Sequence, residues 1–178
     1  MNRLEDFFDR DIEKFTKSYF NYLKEIFDKV ETSEIKLFVE TLLKARSRSS
    51  TIFFIGNGGS AATASHFAND LAFGTNDYKN PFKVMSITDN VPVMTAIGND
   101  YGYDEIFIRQ LKVYSKKNDV LVGISASGNS ENLINSFMYA SSIGMETVGI
   151  TGFDGGKLKK IANISVHFPT NQKEYGPA

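Results

Sequence analysis

The chain reads as an α/β domain, a mostly parallel sheet flanked by helices and preceded by a helical segment. Two observations predict it. From Thr51 onward, short apolar runs of strand character alternate with helix-type runs, the alternation that right-handed crossovers turn into a parallel sheet. Two of those runs also end in loops of glycine, hydroxyl and amide residues: Gly56-Asn57-Gly58-Gly59-Ser60 after Thr51–Ile55, and Ser125-Ala126-Ser127-Gly128-Asn129-Ser130 after Asp119–Ile124. Both loops then fall at the carboxyl edge of the sheet, where helix-start amides and the helix dipole converge on an anion.

The first fifty residues contain no glycine and no proline. Leu4, Phe7, Phe8, Ile12, Phe15, Tyr19, Leu23, Ile26, Phe27 and Val30 recur at three- and four-residue steps, which predicts one long amphipathic helix. A second helix is expected from Ser33, with Glu34 in its first turn and Ile35, Phe38, Val39, Leu42 and Leu43 on one face. Arg46 to Ser50 reads as a connector. The aromatic stripe either covers one face of the domain or packs against another subunit.

The strands are expected at Thr51–Ile55, Lys83–Ile87, Val120–Ile124, Thr147–Ile150 and Ile164–Phe168. Helices follow the first, third and fourth, and Tyr103–Tyr114 is helix-compatible. Ser130-Glu131 is a plausible helix start, and Gly144 a C-terminal stop for a helix over Leu133–Ile143. Asn171 to Ala178 reads as a polar, turn-rich tail.

Composition narrows the function. Among 178 residues, 20 basic side chains against 21 acidic ones leave no electrostatic footprint for nucleic acid. No stretch is long and apolar enough to span a bilayer. With no cysteine and no apolar leader at the N-terminus, the expected compartment is the cytoplasm.

Gly56-x-Gly58-x-x-Ala61 has the spacing of a dinucleotide fingerprint, but the ribose-binding acid expected at a strand tip about twenty residues on is met only by Asp77, which reads as a loop residue, Asp89 lying about thirty beyond Gly56. No Gly-Lys-Ser/Thr follows, so a P-loop is excluded and no nucleotide cofactor is expected. Ser125, Ser127 and Ser130 each carry a hydroxyl to donate to a phosphate oxygen, with the amides around Gly128 and Asn129 adding more. Such a site favours a small phosphorylated metabolite, while the alternative use of these serines is as caps and turn formers. His66 and Asp70, four apart on a helix from Ser60, share a face. They suit proton transfer or metal binding, or form a plain surface contact. Asn99-Asp100 is a polar cluster whose simplest reading is a turn at a helix end, and His167 reads as structural.

Four motifs in order, Gly56–Ala62 with His66-Phe67, Gly98–Gly102, Gly123–Ser130 and Thr151–Gly156, resemble the sugar isomerase (SIS) domain family, in particular its phosphoheptose isomerase branch. The resemblance covers roughly Thr51 to Pro169. It implies a three-layer, flavodoxin-like sandwich with a five-stranded parallel sheet over residues 51–178, and residues 1–50 as N-terminal helices that intertwine in a homotetramer. It also implies isomerisation of sedoheptulose 7-phosphate to a glycero-manno-heptose 7-phosphate through an enediol, for the heptose of lipopolysaccharide or capsule. Some members of the fold instead only bind phosphosugars, and one binds the replication initiator DnaA. Carried over residue by residue, Asn57, Gly58, Gly59, Ser60, Asn99, Asp100, Ser125, Ala126, Ser127 and Ser130 hold the substrate. His66 matches a zinc ligand, and Asp70 the carboxylate that is both ligand and catalytic base. Asp70 stands where the family has glutamate, and Ala126 where threonine is common. A family helix supplying a second catalytic histidine is expected beyond Ala178.

Overall fold

The computed structural model describes residue 5 and residues 7–170. Five strands, β1 (Thr51–Gly56), β2 (Lys83–Ser86), β3 (Val120–Ser125), β4 (Glu146–Thr151) and β5 (Ile164–His167), form one parallel sheet in the order β2-β1-β3-β4-β5. Each expected strand is present. Alternation along β1 sends Ile52 and Phe54 to one face and Phe53 and Ile55 to the other. At the centre of the sheet β1 and β3 are buried on both faces, which is why they read as continuous apolar runs, whereas the edge strand β2 alternates between exposed and half-buried residues.

Helices α1 (Ile12–Phe27), α2 (Thr32–Ser47) and α3 (Gly59–Asn69) precede β2, α4 (Val91–Tyr101) and α5 (Ile108–Tyr114) lead to β3, and α6 (Glu131–Ser142) and α7 (Gly156–Ile161) follow β3 and β4. On one face, Phe38, Leu42 and Ala45 of α2 and Ala64 of α3 pack on Ile52, Phe54, Val120 and Val122. On the other, Leu111 of α5, Leu133 and Phe137 of α6 and Leu158 of α7 pack on Phe53, Ile55 and Leu121. This is the three-layer sandwich the resemblance implies. Each fully buried Leu or Phe stabilises it by about 1.5–3 kcal/mol relative to exposure.

Three local features differ from the sequence reading. The expected single long N-terminal helix is interrupted: residues 8–11 are non-helical, and the helix to Phe27 starts at Ile12 because the Asp11 carboxylate accepts from the Glu13 N–H at 3.0 Å and the Lys14 N–H at 3.4 Å. A capping carboxylate ends the preceding turn there although the apolar stripe runs through it. Leu4 of that stripe, and the Asn171–Ala178 tail, lie outside the described residues. Secondly, α4 is a helix the strand-and-loop reading omits. Its start is set by Asn90, whose side chain accepts from Val93 N–H at 3.2 Å, with Pro92 in the first turn. Thirdly, Tyr103–Tyr114 divides into a 3-10 turn, Tyr103–Glu105, and α5. No helix among the described residues is long and apolar enough to cross a membrane.

Candidate active site

The chain leaves β1 to one side of the sheet and returns to β3 on the other, so the order of strands reverses between these neighbours. At such a switch point the two following loops splay apart and open a crevice beyond the carboxyl ends. Those two loops are the ones the sequence singles out. A cavity of about 490 Å³ opens there, lined by Asn57, Gly59, Ser60, Thr63, Ser125 and Ala126 together with Thr151 and Thr170. A neighbouring cavity of about 260 Å³ shares Asn57, Ser60, Ser125 and Ala126 with it and adds Ser127 and Ser130. Among the described residues no lysine or arginine lines either one.

The serine loop is braced from within and from outside. Ser125 Oγ accepts the Gly128 N–H at 3.0 Å, and Ser127 Oγ accepts the Asn129 N–H at 3.3 Å. The Gly128 and Asn129 amides, expected to face the phosphate, are therefore spent inside the loop, and each serine keeps its own hydroxyl proton to donate. Gly128 has φ +64°, and a Cβ there would lie 2.0 Å from the Gly155 carbonyl oxygen, so only glycine lets the loop abut the β4–α7 turn. That turn is held by Leu158 N–H donating to Gly128 O at 2.9 Å and Lys157 N–H donating to Asn129 Oδ1 at 3.0 Å. Ser130 occupies the cap position of α6, yet its hydroxyl makes no capping bond. It lines the smaller cavity instead, at the positive end of the α6 dipole.

The glycine loop is shaped by close approach. A Cβ on Gly56 would meet Ser60 backbone at 2.6 Å, so its absence lets α3 start directly over β1. Gly58 and Gly59 border open space, and the Asn57 side chain is bonded to Asn132 on α6 and to the Tyr103 hydroxyl.

His66 and Asp70 lie further along α3, Asp70 being the first residue of a π-helical turn, Asp70–Gly74, that continues the helix. His66 Nε2 is 3.3 Å from Asp70 Oδ2, and the side chains are 74% and 63% exposed. Both line a third cavity of about 260 Å³ with Phe67 and Leu71. Thr63 borders both this cavity and the 490 Å³ one, so the His66–Asp70 pair and the crevice between the two loops lie along one helix. The helix itself is braced at Ser65, whose hydroxyl donates to Asp89 just beyond β2.

As zinc ligands the pair is incomplete: among the described residues no group of three or more His, Cys, Asp or Glu could hold a metal ion, whereas zinc sites use three or four protein donors. Asn99 and Asp100, carried over as substrate-binding, sit in the last turn of α4, exposed and bonded to each other at 2.8 Å, and line none of the three cavities. Their segment reaches the crevice through Tyr103 alone of the contacts described, its hydroxyl 3.1 Å from Asn57 Oδ1. His167, at the end of β5, pairs with Thr151 Oγ1 through Nδ1 at 3.0 Å, and burial lowers its pKa. Thr63, Tyr103 and Asn132 are the site residues that sequence reasoning missed. Ser125 through Ser130 are matched by chain spacing, but Asn132 meets Asn57 from 75 positions away, and only the fold brings them together.

The model of the SIS domain matches residues 15–152. The chain belongs to the SIS domain family. It is 43% identical over 136 residues to a phosphoheptose isomerase from Aliarcobacter butzleri, covering 76% of this chain and 70% of that one. Solved structures agree: a phosphoheptose isomerase from Francisella tularensis superposes with TM-score 0.79 at 26% identity, over 89% of this chain and 86% of that one. The phosphoheptose isomerase GmhA from Neisseria gonorrhoeae gives TM-score 0.73 at 30% identity, over 91% and 88%. The four motifs thus point to the right family and to its phosphoheptose isomerase branch.

Proposed function

We propose that the chain is an aldose–ketose isomerase that converts sedoheptulose 7-phosphate to D-glycero-manno-heptose 7-phosphate through an enediol. The relatives named above support the reaction. The observation that carries it on this chain is the arrangement along α3. The cation-free serine loop and the His66–Asp70 pair open on cavities joined by Thr63, with Asp70 about 10 Å of helix rise beyond Thr63. A seven-carbon sugar phosphate carries its phosphate on C7 and its reacting carbons at C1 and C2, so a site divided in this way suits it.

In this reading Ser125, Ser127 and Ser130 donate to the phosphate, while Asn57, Gly58, Gly59 and Ser60 border the sugar. The Asp70 carboxylate takes a proton from C1, the C1–H electron pair forms the C1–C2 double bond of the enediol, and the carbonyl oxygen O2 gains a proton. His66 moves that proton from O1 to O2. Collapse of the enediol passes a proton from Asp70, whose exposed carboxyl exchanges with solvent while the enediol stands, to C2 and leaves the aldehyde at C1. Asn99 and Asp100 are read as substrate residues that reach the site only when a further element or subunit closes it. His66 and Asp70 would be two of the three or four donors a zinc ion needs, and the ion would polarise the substrate's oxygens.

Residues 1–50 are read as the oligomerisation segment and 51–178 as the SIS domain, in a cytoplasmic homotetramer serving a heptose-containing surface polysaccharide. The tetramer is supported by apolar side chains on α1 that the fold leaves in water: Ile12 is 78% exposed, and Phe20 and Phe27 are each 62% exposed. Incubation with sedoheptulose 7-phosphate, followed by NMR of the sugar protons, tests the activity. An aldose phosphate signal that Asp70→Asn abolishes is expected; its absence with the unaltered protein contradicts the proposal.

A further inference from the structure

Asn57 and Asn132 face one another across the crevice and exchange hydrogen bonds: Asn57 Nδ2 donates to Asn132 Oδ1, and Asn132 Nδ2 to Asn57 Oδ1, both at 3.0 Å. A carboxamide pair is bonded equally well in either sense, since each group has one donating and one accepting end. A third contact removes the choice. The backbone N–H of Leu133, shared with Ser130 O at 3.1 Å, lies 3.0 Å from Asn132 Oδ1, and a backbone N–H only donates, so the side-chain atom it meets is the oxygen. With Asn132 fixed, Asn57 has to turn its nitrogen to that oxygen and its own oxygen to Asn132 Nδ2.

The Tyr103 hydroxyl then donates to the same Asn57 oxygen at 3.1 Å. Two lone pairs meet two donors, and the oxygen has no capacity left. The nitrogen has used one of its two N–H groups. Asn57 lines both cavities of the crevice, whereas Asn132 is 1% exposed and reaches neither.

We infer that Asn132 is a positioning residue: it locks the Asn57 carboxamide in the sense that offers the crevice one N–H and no acceptor. Asn57 therefore selects an acceptor oxygen of the ligand, a phosphate oxygen or the carbonyl oxygen that gains charge in the enediolate, and discriminates against a hydroxyl that needs to donate. The same lock ties the glycine loop to the helix that starts from the serine loop, so both halves of the crevice keep one spacing. The inference rests on the reading of this crevice as a phosphosugar site.

The test is a cycle of the full chain with Asn57→Ala, Asn132→Asp and the double variant, reading kcat/KM and calorimetric affinity for sedoheptulose 7-phosphate. Asn132→Asp keeps the shape and the bond to Leu133 but sets oxygen against the Asn57 oxygen. Each single variant is expected to lose about tenfold or more, and the double variant to lose no more than Asn57→Ala alone, because Asn132 acts only through Asn57. A purely structural role multiplies the losses. Wild-type behaviour of Asn132→Asp, or multiplied losses, overturns the inference. Asn132→Ala is carried through the same cycle, so that misfolding of the buried aspartate variant does not decide the matter. Wild-type protein that binds without turnover overturns the isomerase reading while the affinity cycle still decides on Asn132; wild-type protein that does not bind overturns both.

Discussion

Asp70 carries one methylene less than the glutamate usual in the family, and a base displaced by one bond length loses proton-transfer geometry steeply. It nonetheless keeps a histidine at 3.3 Å and a place on a cavity that shares Thr63 with the crevice between the two loops. Asp70→Asn is expected to lower kcat on the order of 100-fold or more while leaving KM within a few-fold, measured by initial rates; an unchanged kcat removes Asp70 from the base role. His167 makes a separate, pH-dependent prediction. Burial holds its pKa below the ordinary 6.5, with the Lys159 charge adding to the effect. The folded chain prefers the neutral ring, so the unfolded chain binds the proton more readily below that value. Its stabilising contribution is whole above pH 6.5 and is lost as pH falls through the lowered folded value. Melting temperature should therefore drop between about pH 7.5 and about pH 5.5, and drop less in His167→Asn. An identical drop in both proteins assigns the pH dependence to other groups.

The elements were legible in the sequence where one short-range signal decides them. β1 and β3 are continuous apolar runs ending in glycine-bearing loops, and α6 stops just before Gly144 as its sequence demands. Legibility failed where a polar residue interrupts a periodic pattern, as Asp11 does in the N-terminal stripe, and where a cap starts a helix in an irregular apolar run, as Asn90 and Pro92 do before α4. Within the site, Ser125, Ser127 and Ser130 could be read because they are close in the chain. Asn132 could not, because its meaning lies in a partner on another loop and in one backbone N–H. Element packing is tested at β3 and α6. A Cβ on Gly123 would stand 2.4 Å from the buried Phe137 ring, so Gly123→Ala is expected to destabilise by about 1–3 kcal/mol, seen as a melting temperature lower by several degrees. No change would mean that α6 sits further from the sheet than described.

For the molecule as a whole, the sheet places the glycine and serine loops at one edge, while the N-terminal helices place apolar side chains on the outside. Ile26 and Tyr22 of α1 are buried, but Ile12, Phe20 and Phe27 are not, and a helix that is apolar on two sides has a second surface to cover. Phe20→Glu is expected to convert the proposed tetramer into smaller species by light scattering with the domain still folded; an unchanged mass places the interface elsewhere. The central claim is that this crevice performs isomerisation rather than only holding a phosphosugar. The most direct measurement is proton NMR of sedoheptulose 7-phosphate incubated with the chain in deuterated water. An enediol formed by Asp70 predicts deuterium at C1 of the recovered ketose and at C2 of the aldose, both lost with Asp70→Asn. Saturable binding of the sugar phosphate with no deuterium at either carbon would contradict it.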